Sequence, residues 1–317
     1  MAMKTKISDF THLPGNNCIT TAIRNILNFY GYRYREAMIF GLAEGIGFTF
    51  RIIAGLDNPY LGGAGSQMLE SFCRNLHLDF QVTEFDTDQD AWEDLREHID
   101  KQIPIICQVD LKHLPYFKSR THFAGHRVIP VEYNDESIFL ADTGFRKIRE
   151  CPISCFIEAR KSSYPPHEPR RKRWSIDHVS ERPFVEETVT KALYNVYSKF
   201  ERQEPGYDLE QIFQLKDHLQ DYHDSRMLYQ QIEKAGTGGG LSRRMFAEFL
   251  DQSAQAYSRT IYELASGLYE KSGQLWGEIA ADAKVGDLNS APAKLEEIYE
   301  TEKHAIEVFS SYEAEEL

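Results

Sequence analysis

Two stretches of the chain hold residue types that could do acyl chemistry. "PGNNCITTAI", residues 14–23, sets Cys18 where a glycine- and asparagine-rich turn gives way to an apolar pattern; "HFAGHRVIPVEYNDESIFLADTGF", residues 122–145, contains His126 and Asp142. A thiolate can attack an acyl carbonyl, an imidazole can carry the proton, and a carboxylate can fix the imidazole's orientation and tautomer. Cys18 on its own reads equally well as a small buried hydrophobe, the commonest fate of a free cysteine. His126 on its own could be a structural histidine, and His122 is a competing base.

The elements that must position these groups follow from spacing. Ala22, Ile23, Ile26, Leu27 and Tyr30 fall on one helical face, with Asn16 or Asn17 able to cap the helix and Gly31 able to end it. Cys18 then sits in the first turn, where free N–H groups and the helix dipole favour a thiolate. Residues 127–133 and 137–141 alternate like strands around Asn134-Asp135, so a hairpin brings His126 toward Asp142. A two-residue turn sets Arg127 opposite Asp142, whereas a three-residue loop or one bulge sets His126 there. Pro130 makes an edge strand or a bulge plausible. The N–H of Cys18 is one oxyanion donor; His12 and Asn17, with Asn16 beside them, are candidates for a second.

The composition, 42% apolar and 27% charged over 317 residues, is that of a folded globular chain of one or two domains. A formal charge of −13 opposes nonspecific attraction to nucleic acid or anionic lipid, and no run is long enough to span a membrane. The N-terminal residues lack a secretory pattern, which suggests a cytoplasmic protein. Five scattered cysteines in that setting argue against a disulfide framework. Cys151 and Cys155 form a C-x3-C pair with no partner ligands to complete a metal site, so no metal is expected. The basic run Arg170-Arg171-Lys172-Arg173 reads as an exposed linker before it reads as a phosphate patch.

The first half mixes helix-like and strand-like segments, predicting an α+β domain over 1–164. Prolines at 165, 166, 169 and 183 suggest a linker or crossing segment over 165–183, and an almost wholly helical pattern follows over 184–317. Helices are expected over 184–201, 209–235, 241–257, 258–283 and 291–312. "GTGGG", residues 236–240, feeds a helix beginning near Leu241. Gly238, Gly239, Arg243 and Arg244 could therefore hold a donor phosphate, although a plain helix–helix loop or close backbone packing explains the glycines as well. The helical part could be a lid, a partner dock or a homodimer interface.

Three segments together resemble one family. "HLPGNNCITTAIRNILNFYGYRYREAMIFGLAEGIGFTF", "LPYFKSRTHFAGHRVIPVEYNDESIFLADTGF" and "GTGGGLSRRMFAEFL" are similar, in order, to segments of the butirosin biosynthesis protein H family, with departures at Ala43 and Ala64 on the acceptor side. The resemblance implies a papain-like acyltransferase domain and an associated helical domain. Cys18 would be the nucleophile, His126 the general base and Asp142 its orienter. It further implies an acyl group carried as a thioester on the phosphopantetheine of an acyl carrier protein, or on coenzyme A, and moved to a small-molecule amine in antibiotic or other natural product biosynthesis. No tightly bound cofactor is implied. A papain-like peptidase or amidase, with water as acceptor, and a noncatalytic binding protein on the same fold are the alternatives.

Overall fold

The computed structural model describes residues 5–63, 67–179, 185–235 and 238–316. In chain order it contains β1 (Thr5–Lys6), α1 (Cys18–Phe29), α2 (Glu36–Leu42), β2 (Thr49–Arg51), β3 (Tyr60–Gly62), α3 (Met68–Asn75), β4 (Asp79–Thr83), α4 (Asp88–Asp100), β5 (Ile105–Val109), β6 (His126–Tyr133), β7 (Ser137–Asp142), β8 (Arg149–Pro152), α5 (Ile153–Lys161) and β9 (Arg173–His178). The helices α6 (Glu186–Glu201), α7 (Gln211–Asp217), α8 (Ser225–Glu233), α9 (Gly240–Tyr257), α10 (Thr260–Val285) and α11 (Ala291–Glu316) follow. The fold is α+β, and no helix among the described residues is long and apolar enough to cross a membrane.

The chain forms two compact units, Met1–Glu36 with His77–Arg182, and Ala37–Leu76 with Pro183–Leu317. The first is built on an antiparallel sheet in the order β4-β9-β5-β6-β7-β8, with β1 paired to the far end of β6. Its central strands are apolar on both faces: every residue of β5 is buried, as are Val128, Ile129 and Val131 of β6 and Trp174 and Ile176 of β9. α1 packs on β6 through its apolar stripe, with Ile23 and Ile26 fully buried, and α5 packs on β5.

Two expected boundaries change. Residues 173–178, inside the expected linker, form β9 between β4 and β5 in the sheet. Three of the four prolines that suggested a linker lie at 165, 166 and 169, ahead of this strand, and Pro183 follows it. Between them "RWSIDH" has the aromatic and β-branched residues of a strand, Trp174 and Ile176, and its Arg173 pairs with Asp94. Residues 37–76, expected in the catalytic domain, belong to the helical unit instead. The Phe48 ring lies 5.8 Å from that of Trp276, the Phe48 N–H donates to Gly206 O at 2.8 Å, and the Tyr207 hydroxyl donates to Glu44 O at 3.1 Å. Such pairings are remote in sequence, so periodicity does not reveal them.

In the helical unit α10 is central, packing on α8, α9 and α11. The helix expected over 209–235 is broken into α7, a short 3-10 turn at 219–221 and α8. Asp224 causes the restart, since its side chain accepts the Arg226 N–H and caps α8.

Candidate active site

Asn17, in extended conformation, caps α1: its side-chain oxygen accepts from Ile19 N at 2.9 Å and Thr20 N at 3.2 Å. Cys18 is therefore the first helical residue. Gly31, at φ +93°, follows the C-terminal end as the sequence suggests. What holds the turn ahead of Cys18 was not visible in the sequence. Buried Glu36 accepts from the N–H groups of Asn16 and Asn17 at 3.0 Å each, from the hydroxyls of Thr20 and Thr21 at 3.0 and 2.9 Å, and from Arg24 at 3.3 Å. Gly15 lies against this knot, and a Cβ there would come 2.1 Å from Thr21 Oγ1 and 2.5 Å from Glu36 Oε2. No side chain fits without moving the carboxylate.

The hairpin delivers the other two groups through a register different from either expectation. Its loop is Asp135-Glu136, with Asn134 N–H donating to Ser137 O, and a bulge lies between Pro130 and Glu132. Asp142 consequently faces Val128, not Arg127 or His126. Directly opposed residues share a face, as do residues two apart on one strand, so His126 and Asp142 lie diagonally on the same face. Without the bulge, Ile129 would face Asp142 and the two groups would point to opposite sides of the sheet.

His126 Nε2 lies 2.9 Å from Asp142 Oδ1, which leaves Nδ1 for Cys18. Burial opposes the imidazolium, but the charge and hydrogen bond of Asp142, followed by those of Cys18, push His126 up to about 10. Burial also opposes the thiolate. The hydrogen bond and charge of His126, helped by the charge and backbone N–H of Arg127, outweigh it and hold the Cys18 thiol below its ordinary value. The other cysteines with a shift go the opposite way: burial pushes Cys73 and Cys151 up to about 12, and Cys107 is raised too. Both shifts favour the charged forms, a Cys18 thiolate beside a His126 imidazolium.

A fourth member of this line, Tyr116, has no counterpart among the residues singled out from the sequence. Its hydroxyl donates to Asp142 Oδ2 at 2.7 Å, while burial and the neighbouring carboxylate keep the phenol protonated. Phe117 packs edge-on against His126 with centroids 5.4 Å apart, and Phe145 meets Tyr116 and Phe117 at 5.2 and 5.1 Å. The only sequence signal for these roles was the cluster "PYF" upstream of the histidine.

Among the oxyanion candidates, His12 is committed to the backbone. Its Nε2 meets the carbonyls of Asp142 at 3.1 Å and Phe145 at 2.7 Å, and Asn25 lies on Nδ1. One ring N–H cannot also serve an oxyanion. The Asn17 carboxamide oxygen is the helix cap, which leaves its NH2 as the remaining donor, and the Cys18 N–H makes no hydrogen bond among the described residues.

His122 belongs to another cluster. Its Nδ1 lies 2.6 Å from Asp110 Oδ2, its Nε2 is 2.9 Å from Lys112 Nζ, and its ring stacks on Tyr164 at 4.1 Å. Asp110, His113 and His122 offer three potential metal-ligand atoms within 4.8 Å of one another.

The two arginines expected to hold a phosphate at the glycine loop are engaged within the protein. Arg243 is fully buried, paired with Glu302 at 2.8 Å and bonded to Gly47 O, while Arg244 pairs with Glu233. A Cβ on Gly238 would lie 2.1 Å from Gly62 O, so this glycine serves close backbone packing. Gly239 likewise meets Ile232. Gly236 and Thr237 lie outside the described residues. The basic run is also internally neutralised: Arg170 pairs with Glu168, Arg171 with Asp88, Lys172 with Glu84 and Arg173 with Asp94.

Residues 17–143 match the family described as butirosin biosynthesis protein H, N-terminal, and residues 156–309 match a domain of unknown function, DUF4872. No curated protein matches the chain. A solved structure described as a C39-like peptidase from Bacillus anthracis is similar at 12% identity and a TM-score of 0.40, over 56% of this chain and all of that one.

Proposed function

Since the chain belongs to the butirosin biosynthesis protein H family, we propose that it is a cysteine-dependent acyltransferase, which takes an acyl group from a thioester and passes it to an amine. The observation that carries the reading is the line Cys18–His126–Asp142–Tyr116, with the thiol held below and the imidazole above their ordinary values.

In the first half-reaction the Cys18 thiolate attacks the thioester carbonyl. The oxyanion forms near the Cys18 N–H, the bond to the donor sulfur breaks, and His126 protonates the departing thiolate. One thioester replaces another at little free-energy cost. In the second half-reaction the amine attacks the acyl-cysteine, His126 takes its proton, and the Cys18 thiolate leaves as the amide forms. Acylation removes the thiolate charge that helps to hold His126 high. The imidazole then gives up its proton more readily and is free to act as a base when the amine arrives. The donor is a phosphopantetheine-bound or coenzyme A thioester, and the acceptor a small-molecule amine of natural product biosynthesis.

Mixing the protein with an acyl thioester in the absence of amine should leave the acyl mass on the peptide containing Cys18. Cys18→Ala should carry none, and adding amine should discharge the adduct as amide. Release as free acid at the same rate with and without amine would assign a hydrolase. Intact transfer by Cys18→Ala would end the covalent mechanism.

A further inference from the structure

The loops that fasten the triad carry an excess of positive charge that the structure leaves unneutralised. Residues 111–123 and 143–149 include Lys112, Lys118, Arg120, Arg146, Lys147 and Arg149, and no Asp or Glu, in a chain of formal charge −13. Lys118, Arg120, Arg146 and Lys147 are exposed, and among the described residues neither they nor Arg149 has an acidic partner. The contrast with the run at 170–173, where each cation has its carboxylate, is direct.

Arg149 is the most telling of these cations. It lies over the rings of Phe145 and Tyr116, 5.0 and 5.5 Å from their centroids, and its Nε is buried with no hydrogen-bond partner. A buried donor of this kind costs stability unless something accepts from it. Both loops are anchored to the reacting groups. Tyr116 holds Asp142, Phe117 packs on His126, and Thr143 O accepts the Gly15 N–H of the turn ahead of Cys18 at 3.1 Å. Unpaired cations repel one another, and their concentration on the loops that hold Asp142 and pack on His126 favours anions at those loops.

We infer that these two loops form an anion-receiving rim that holds the phosphate of a pantetheine thioester while its acyl carbonyl meets Cys18. The inference rests on the acyl-thioester reading of the site, and it gives the donor phosphate a place that Arg243 and Arg244 do not provide. Coenzyme A and a phosphopantetheinylated carrier protein present the same phosphate chemistry.

Two symmetrical disulfides test it without any acyl transfer. Pantethine and the disulfide of 4′-phosphopantetheine offer the same sulfur on the same arm and differ in phosphate. The Cys18 thiolate attacks one sulfur, the S–S bond breaks, a mixed disulfide forms, and the other half leaves as a thiolate. The phosphorylated disulfide should modify Cys18 about 10-fold faster at low ionic strength, and the ratio should fall toward one at about 0.5 M salt. Lys118→Ser/Arg120→Ser/Arg146→Ser/Lys147→Ser should bring the ratio near one at low salt as well, and the pair Lys118→Ser/Arg120→Ser should bring it part of the way. Equal rates with the two disulfides in the unaltered protein would overturn the rim. If neither disulfide reacted at Cys18, the thiolate itself would be refuted, and the proposed function with it. Competition by thiol-blocked forms, which cannot exchange with either disulfide, separates the two sources: slowing of the phosphorylated reaction by S-methyl coenzyme A assigns the free coenzyme, slowing by a holo carrier protein with its thiol S-methylated assigns the protein-borne arm, and slowing by neither overturns the rim.

Discussion

At the scale of single residues, the decisive contest is between burial and His126. Burial is the largest influence on Cys18 and raises its pKa, yet the hydrogen bond and charge of His126, with Arg127, reverse the sign. Deleting the imidazole should therefore do more than remove a base. In His126→Ala, burial is opposed by Arg127 alone, so the midpoint of iodoacetamide alkylation against pH should move from below the ordinary thiol value to above it. At pH 7 the alkylation rate should fall at least about 10-fold, the loss expected when a thiol leaves the roughly 3.5–7.5 range of activated cysteines for the ordinary ~8.5 or higher. His122→Ala should leave the profile in place, because that ring is engaged with Asp110 and Lys112. An unchanged midpoint in His126→Ala would mean that the helix terminus, not the histidine, makes the thiolate. The types and order of Cys18, His126 and Asp142 were legible in the sequence because reactive groups are few and their neighbours repeat known patterns. Tyr116 was not, because a tyrosine reads as core until its hydroxyl has a partner.

At the scale of elements, the helix at Cys18 and the hairpin of β6 and β7 could be read from periodicity, but the details that make them work could not. A strand pattern shows that a bulge is plausible at Pro130; it does not show that the loop shifts by one residue, and only both together put His126 and Asp142 on one face. The turn before α1 depends likewise on Glu36, a residue eighteen positions beyond Cys18 that would pass for surface charge. Gly15 should be the sensitive point of that turn. In Gly15→Ala the new methyl must displace Thr21 Oγ1 or the Glu36 carboxylate, at a cost of about 1–3 kcal/mol. The expected outcome is a lower unfolding midpoint in urea together with slower alkylation of Cys18. Gly31→Ala meets no neighbouring atom and suffers only from its φ of +93°. It should therefore lose stability while its alkylation rate stays near that of the parent. Equal alkylation losses in the two variants would show that the turn ahead of Cys18 has no special grip on the nucleophile.

At the scale of the whole molecule, the sequence showed a mixed half followed by a helical half, and it hid the exchange of segments between them. Residues 37–76 join the helical unit through partners more than a hundred positions away, and β9 joins the sheet from beyond the proline-rich stretch. Arg243 shows what such long-range joining demands. Its guanidinium is wholly buried and is held by Glu302 of α11, by Gly47 O from the segment of residues 37–76, and by Gly238 O of the glycine loop. Ser272 donates to the same Glu302 carboxylate. A charge pair removed from water stabilises little in net terms, but breaking it strands the partner. Arg243→Ala should accordingly cost about 3–5 kcal/mol, because Glu302 is left buried without its partner. Replacing the pair together, as Arg243→Met/Glu302→Leu, should recover much of that loss. If Arg243 instead held a donor phosphate, the order would differ: Arg243→Ala would weaken donor binding at nearly unchanged stability, and the double variant would recover nothing. Urea unfolding of the two variants, beside the rate of Cys18 acylation in each, distinguishes a structural arginine from a ligand-binding one.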